Sequence, residues 1–95
     1  MGWGLQKTFR EGGTSDEFGN AVGIYGNYAI VGAIVTGTVY WYQRKNDGTW
    51  KEVRVVESSV DDFGAAVGIY GNYAIVGGDG AGSEQGIVNI YQMKY

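Results

Sequence analysis

Apolar residues along this chain occur in short runs that glycine and asparagine interrupt, and one such run occurs twice. Residues 21–32 read AVGIYGNYAIVG, and residues 66–77 read the same twelve letters. Within each copy a Gly-Asn pair separates two stretches rich in Val, Ile and Tyr, which favour strands. Gly and Asn tolerate the positive φ that a two-residue hairpin turn requires. The pattern therefore predicts two β-hairpins of the same sequence.

The similarity between the copies extends beyond the hairpins. Asp16 of the first copy matches Asp61 of the second, so the repeat is 45 residues long (61 − 16). A third strand is predicted after each hairpin, over residues 38–43 and 87–93, and residues 50–57 alternate in polarity like a partly exposed fourth strand. A period near 45 around a strand-turn-strand unit is typical of β-propeller blades. The predicted hairpin strands are residues 16–25, 28–33, 61–70 and 73–78.

The strand order places an outer strand ahead of the first complete blade. Residues 5–10 predict a short strand, and residues 3–7 correspond to the region that begins at Trp50. The order is thus one outer strand, four strands of one blade, and three strands of a second blade. We expect residues 1–95 to form a single two-blade segment with three parts. Residues 1–11 are the outer strand donated to a neighbouring blade, residues 16–57 are a complete blade, and residues 61–95 are the inner three strands of a second blade.

Two blades do not close a ring, and an unpaired edge strand favours pairing with another chain. A head-to-tail interface whose rotation closes produces a cyclic oligomer. Propellers have about four to eight blades, so we expect a trimer of six blades first and a tetramer of eight next. The predicted fold class is all-β, with propeller blades of four antiparallel strands. Homo-oligomerisation with inter-chain strand exchange is expected to complete the ring. The alternative is a monomer whose two blades pack as a sandwich. The predicted interface residues are Trp3, Leu5, Phe9, Ile87, Ile90 and Tyr91.

Composition narrows the range of chemistry. The 95 residues include 18 Gly and no Pro, Cys or His, and the net charge is −3. Without His or Cys no Ser-His-Asp or Cys-His arrangement is possible, and nothing sets the separation that a pair of glycosidase carboxylates needs, so no enzyme is predicted. The chain has no cluster of Lys or Arg, which argues against nucleic-acid binding. No apolar run approaches the length of about 20 residues that is needed to span a bilayer. The first six residues lack a signal-peptide pattern, so the chain is expected to be cytoplasmic or to have lost a leader.

A few polar and aromatic residues are candidates for ligand binding. The loop that contains Asp79, Ser83 and Glu84 offers fewer carboxylates than calcium usually takes, so a polar turn is the favoured interpretation and no cofactor is expected. Aspartates ahead of the inner strands are expected to bond their own backbone, and tryptophans at strand positions more often belong to the core than to a sugar-stacking site. The ligand-binding candidates are Asp16, Asp61, Asp79, Glu84 and Trp41.

Three motifs in each copy resemble the FG-GAP repeat of integrin-like β-propellers. They are D-x-FG-x-AV, a YAIVG strand and a G-x-V strand start, at residues 16–22, 28–33 and 37–40 and again at 61–67, 73–78 and 86–88. The Pro of the family name is absent, and so is the family's calcium loop with several aspartates at alternating positions. Twelve consecutive identical residues are typical of a recent duplication, a fragment, or an engineered or reconstructed propeller. The resemblance implies an extracellular propeller.

The sequence is compatible with two functions. The first is a self-assembling propeller scaffold without catalytic activity, whose partner is a further copy of the chain. The second is a multivalent module that binds glycans or proteins, since ring symmetry repeats a weak site and raises its avidity.

Overall fold

The computed structural model describes residues 2–13, 15–80 and 85–94, and these form seven β-strands and one turn of 3-10 helix. Two antiparallel sheets result, the first with the order β1-β2-β3-β4 and the second with the order β5-β6-β7. The predicted all-β class is confirmed. In the described part of the chain no helix has the length and apolar character needed to cross a membrane. The strands are β1 Phe18–Tyr25, β2 Tyr28–Ala33, β3 Thr38–Arg44, β4 Trp50–Glu57, β5 Ala66–Tyr70, β6 Tyr73–Gly78 and β7 Ile87–Gln92.

Both predicted hairpins form, with the Gly-Asn pairs as their turns. Tyr25 lies opposite Tyr28 and Tyr70 lies opposite Tyr73, so each turn has two residues. The first turn residue has a φ of +57° in one hairpin and +59° in the other, whereas neither asparagine has a positive φ. Positive φ at the first turn position alone is the pattern of a type II′ turn. The glycine is required there because other residues rarely adopt this conformation.

Two strand predictions are wrong. Residues 61–65 form turns and β5 begins only at Ala66, because Asp62 has a φ of +63°, which an extended strand does not allow. Residues 5–10 are not a strand either, since none of the described strands forms a hydrogen-bonded ladder with them. The donation of residues 1–11 to another chain stays a prediction.

The two sheets pack face to face around one apolar core, which we call the inter-sheet core. Gly32 of β2 allows the closest approach, because a Cβ at this position would overlap the carbonyl oxygen of Gly64 and lie 3.2 Å from its carbonyl carbon. The close approach of the two backbones adds dispersion contacts that a larger residue at this position would prevent. The buried members of the inter-sheet core are Ile30, Val39, Trp41, Phe63, Ala74 and Val76.

A second apolar cluster lies on the opposite side of the first sheet, which we call the outer face. The N-terminal segment, residues 3–10, contacts it through Phe9 and Gln6. The Phe9 ring stacks on the Tyr42 ring with centroids 3.8 Å apart, and the Trp50 indole N–H donates to Gln6 Oε1 at 2.9 Å. The segment therefore covers part of the outer face without belonging to the sheet. The buried members of this cluster are Ala29, Val31 and Tyr42.

Candidate binding surfaces

The outward side of the second sheet carries three aliphatic side chains that remain exposed, and we call them the open face. The exposed fraction is 45% for Ile75, 64% for Val88 and 68% for Ile90. Ile75 lies directly opposite Ile90 across the β6–β7 pair, and Val88 lies opposite Gly77. Contiguous exposed apolar side chains of this kind typically mark an interaction surface.

The counterparts of the open face in the first repeat are buried. The repeat offset is 45 residues for the hairpin (75 − 30) and 49 for the third strand (88 − 39), and it relates the open face to Ile30, Val39 and Trp41. These three are 0%, 0% and 8% exposed. Ile30 lies opposite Trp41, as Ile75 lies opposite Ile90. The same positions in the same register are thus covered by a neighbouring sheet in one repeat and uncovered in the other.

The outer face of the first sheet shows the converse relationship. Val67 and Ile69 on β5 are half-buried against the inter-sheet core. Their counterparts one repeat earlier, Val22 and Ile24, lie on β1 and are 66% and 67% exposed. The two ends of the sheet stack therefore carry the two halves of the interface that the chain forms internally.

A cleft of about 710 Å³ borders β7. Gln92 and Tyr91 of β7 line one side, and Val53 and Arg54 of β4 line the other. The Trp41 ring, which also lines the cleft, packs edge-on against Tyr91 with centroids 5.2 Å apart and an interplanar angle of 75°. Among the described strands β7 pairs only with β6, so its other edge presents backbone N–H and C=O groups that a further strand or a polar ligand can bind.

Polar contacts hold the N-terminal segment against the outer face. The Tyr42 hydroxyl donates to Glu11 Oε2 at 3.1 Å. Burial, and then this hydrogen bond to a carboxylate, raise the pKa of Tyr42 well above its ordinary value. Loss of solvation, followed by the negative charge of Glu11, raises the pKa of Glu52. Two carboxylates and a phenol therefore share one acidic region beside the stacked Phe9 and Tyr42 rings.

The candidate aspartates serve their own loops. Asp16 Oδ2 accepts a hydrogen bond from the backbone N–H of Gly13 at 2.6 Å, which confirms the predicted backbone bond at this residue. The backbone carbonyl of Asp61 accepts from the N–H of Gly80 at 3.1 Å. A side-chain hydrogen bond with Asp79 is the main cause that raises the pKa of Asp62.

These loops do not assemble a metal site from the residues that can be described. Within residues 2–13, 15–80 and 85–94, no group of three or more His, Cys, Asp or Glu side chains is placed to hold a metal ion. Glu84, a predicted candidate, lies outside the described residues.

The structure distributes the other predicted residues over different surroundings. Trp41 is buried in the inter-sheet core, a placement that favours the core interpretation over sugar stacking. Ile87 and Tyr91 are half-buried against that same core, within their own chain. Trp3 and Leu5 are exposed. Ile90 lies on the open face and Phe9 on the outer face, so these two occupy surfaces at opposite ends of the sheet stack.

Sequence reasoning did not identify four of the exposed apolar residues on the open face and the outer face, which are Val22, Ile24, Ile75 and Val88. The repeat offset itself contains the signal that identifies them. Each surface that is buried between two repeats has an equivalent surface at one end of the array. That end surface is covered only if another molecule or segment packs on it.

A family model described as the FG-GAP repeat matches residues 8–49. The matched segment begins in the N-terminal segment, includes β1, β2 and β3, and ends at the turn before β4. Comparisons with curated proteins and with solved structures returned no match.

Proposed function

We propose, with residues 8–49 identified as an FG-GAP repeat, that this chain is a non-catalytic propeller scaffold that assembles with further copies of itself. FG-GAP repeats are typical of propeller-like modules of the binding or adhesion type, which is the general class of function that the match supports. The specific proposal is that copies associate head to tail, with the open face of one copy on the outer face of the next. Three copies would supply six blades, and this is the ring that we expect.

One observation carries the proposal: the open face repeats, position by position, a surface that this chain already buries. Ile75 and Val88 match Ile30 and Val39, and Ile90 stands where the buried surface has Trp41. Where Ile30, Val39 and Trp41 meet the second sheet, the sheets pack closely enough to leave these side chains at most 8% exposed. The open face offers the same arrangement on β6 and β7. A further blade of this repeat is the partner for which the surface is already shaped.

The internal interface also indicates which residues would meet between copies. Trp41 contacts Tyr91 across the inter-sheet core. One repeat along, the equivalent pair is Ile90 of one copy and Tyr42 of the next copy. Ile90 would therefore enter the apolar region beside Phe9, which is bordered by the carboxylates of Glu11 and Glu52. A negative charge introduced at position 90 would be repelled there as well as desolvated.

The expected energies favour a closed ring over an isolated pair. Burying a Val or Ile side chain completely stabilises by about 1.5–3 kcal/mol. The five exposed side chains of one interface are already partly covered, so about 1 kcal/mol each, or about 5 kcal/mol in total, is a reasonable estimate. Association costs about 4–15 kcal/mol, so one interface is marginal. The last interface of a ring forms between chains that are already joined, so it adds its burial energy without a further association cost. This interface makes the closed assembly stable. These five residues are Val22, Ile24, Ile75, Val88 and Ile90.

Absolute mass in solution tests this proposal. Light scattering coupled to size exclusion should give a multiple of the 10.2 kDa chain, with three copies expected. The substitution Ile90→Glu should reduce the mass to that of a single chain, because it places a carboxylate on the open face. Since Ile90 is 68% exposed in the single chain, the folded chain itself should tolerate the change.

Val35→Glu is the matched control for this experiment. Val35 is 57% exposed and lies in the 3-10 turn between β2 and β3, outside the strands that form the two faces. The Val35→Glu substitution adds the same charge as Ile90→Glu and should leave the mass of the assembly unchanged. A wild-type mass of one chain at all concentrations, or an Ile90→Glu variant that assembles like the wild type, would refute association through the open face.

A second candidate function is binding of glycans or protein surfaces at the cleft beside β7. The observation that favours it is the combination of Arg54, Gln92 and the Tyr91 ring along a cleft of about 710 Å³. Small-ligand sites commonly combine an apolar wall with a few polar groups in this way. A glycan array followed by thermal-shift titration tests it, with Arg54→Ala and Gln92→Ala expected to abolish any shift. A blank array would reject a glycan ligand.

A further inference from the structure

We infer that the N-terminal segment of one copy forms the fourth strand of the second sheet of the preceding copy, the copy whose open face covers it, antiparallel to β7 and in one defined register. This inference rests on the proposed association, and it identifies the strand and the residue pairs through which copies join. It concerns hydrogen bonding at a sheet edge, whereas the proposed function concerns packing between sheet faces.

The first sheet shows what a completed blade looks like. There β4 pairs with β3 in an antiparallel ladder, with Val56 opposite Val39 and Trp50 opposite Arg44. The second sheet contains the counterparts of β1, β2 and β3 only, and β7 pairs with β6 alone among the described strands. The cleft beside β7 is where a fourth strand would lie, because β7 forms one of its walls and β4 of the first sheet forms the other.

The N-terminal segment has the sequence of such a strand. Trp3 matches Trp50 at an offset of 47 residues (50 − 3), and the same offset relates Phe9 to Val56 (56 − 9). The third strands are related by an offset of 49 (88 − 39). The ladder of the first sheet therefore converts directly into expected pairs between copies. These pairs are Phe9 opposite Val88, Lys7 opposite Ile90, Leu5 opposite Tyr91 and Trp3 opposite Met93.

The position of Phe9 in the single chain agrees with this register. Val56 of β4 packs against the inter-sheet core, between the first sheet and the second. Its counterpart Phe9 packs against Tyr42 on the outer face. If the open face of another copy covers that outer face, Phe9 lies between two sheets as Val56 does. The segment does not have to leave its place, because β7 of the preceding copy would dock along its free edge.

The exposed parts of the segment fit the same arrangement. Trp3 and Leu5 are 104% and 87% exposed in the single chain, although both are large and apolar. A ladder with β7 would cover them, and it would satisfy the backbone groups of both edges. Unpaired edges and exposed apolar side chains on one short segment are the features that promote pairing with another chain.

Engineered cysteines test the register, and the chain contains no native cysteine to interfere. One chain carries Lys7→Cys and a second chain carries Ile90→Cys. Directly paired residues on antiparallel strands have Cβ atoms about 4.5–5.5 Å apart, which is near the distance that a disulfide requires. Mixing the two chains under mild oxidation should give a covalent dimer, whereas each chain alone should give at least about tenfold less, because head-to-tail contacts bring position 7 only to position 90.

The control replaces Ile90→Cys with Gln92→Cys, which lies two residues further along β7 on the same side. It should cross-link to Lys7→Cys at least about tenfold less than Ile90→Cys does. The mass of the unmodified protein separates the two proposals. A single-chain mass refutes the association itself. A multi-chain mass without cross-linking at position 90, or with faster cross-linking at position 92, refutes the register and leaves face-to-face association standing.

Discussion

The most informative experiment compares two single substitutions, each of which changes the same glycine of one repeat to alanine. Gly32 and Gly77 occupy the same position in the two hairpins, and neither has a positive φ, so the backbone accepts alanine at both. At Gly32 the added methyl group would overlap the carbonyl oxygen of Gly64. At Gly77 the nearest atom is Val88 Cγ2 at 3.9 Å, an ordinary contact. The two substitutions are chemically the same and differ only in what the tertiary structure places above the strand.

The expected difference follows from two contributions. Replacing Gly by Ala at a compatible position stabilises by about 0.4–1 kcal/mol through the unfolded chain, and this gain is common to both variants. Overpacking of a filled core costs about 1–3 kcal/mol and applies only to Gly32→Ala. Gly32→Ala should therefore be less stable than Gly77→Ala by about 1–3 kcal/mol, with each kcal/mol lowering the Tm by about 4–8 °C.

Thermal and urea unfolding followed by circular dichroism, at a concentration where the chains are separate, measures this difference. Equal stability of the two variants would refute the close packing of Gly32 on Gly64. The same pair also probes association, because Gly77 would meet Gly19 of the next copy as Gly32 meets Gly64. Gly77→Ala should therefore keep a stable fold and lose the assembly, with an effect that appears only at higher concentration. A variant that assembles like the wild type would contradict the proposed contact between faces.

Three further outcomes are expected. Phe9→Ala removes the stacking on the outer face and should cost about 2 kcal/mol, roughly half the value for a fully buried Phe, whereas Leu5→Ala should stay within about 0.5 kcal/mol in urea unfolding of separate chains; equal costs would contradict the packing of Phe9. The raised pKa of Asp62 means that its protonated form is favoured in the fold, so this stability is present below the unfolded pKa of about 3.9 and is lost as the pH rises. Asp62→Asn should therefore raise the Tm at neutral pH, and this gain should fade toward pH 3. An equal Tm difference between variant and wild type at both pH values would disprove the raised pKa. The raised pKa of Tyr42 predicts that Tyr42→Phe removes an ultraviolet titration step well above the usual tyrosine value of about 10, and a lost step near 10 would count against its burial.

Local sequence determined most of the strands. The bounds of β2, β4 and β6 agree with the prediction, because a Gly-Asn turn or a polar loop next to β-prone residues leaves little choice of where pairing begins. The same local reasoning failed at residues 61–65 and at residues 5–10. Asp62 adopts a positive φ in a turn that the pattern of apolar residues does not reveal. Residues 5–10 have the composition of a strand, but a strand also needs a neighbour.

The candidate surfaces were only partly predictable for a related reason. Ile30 and Ile75 lie in identical stretches of twelve residues, so no local pattern distinguishes them, yet one is buried and the other is 45% exposed. The repeat determined that every such position can pack against a neighbouring sheet. Only the tertiary structure decided which copy has that neighbour, because burial depends on what packs above a strand, and this is set by the number and order of sheets in space.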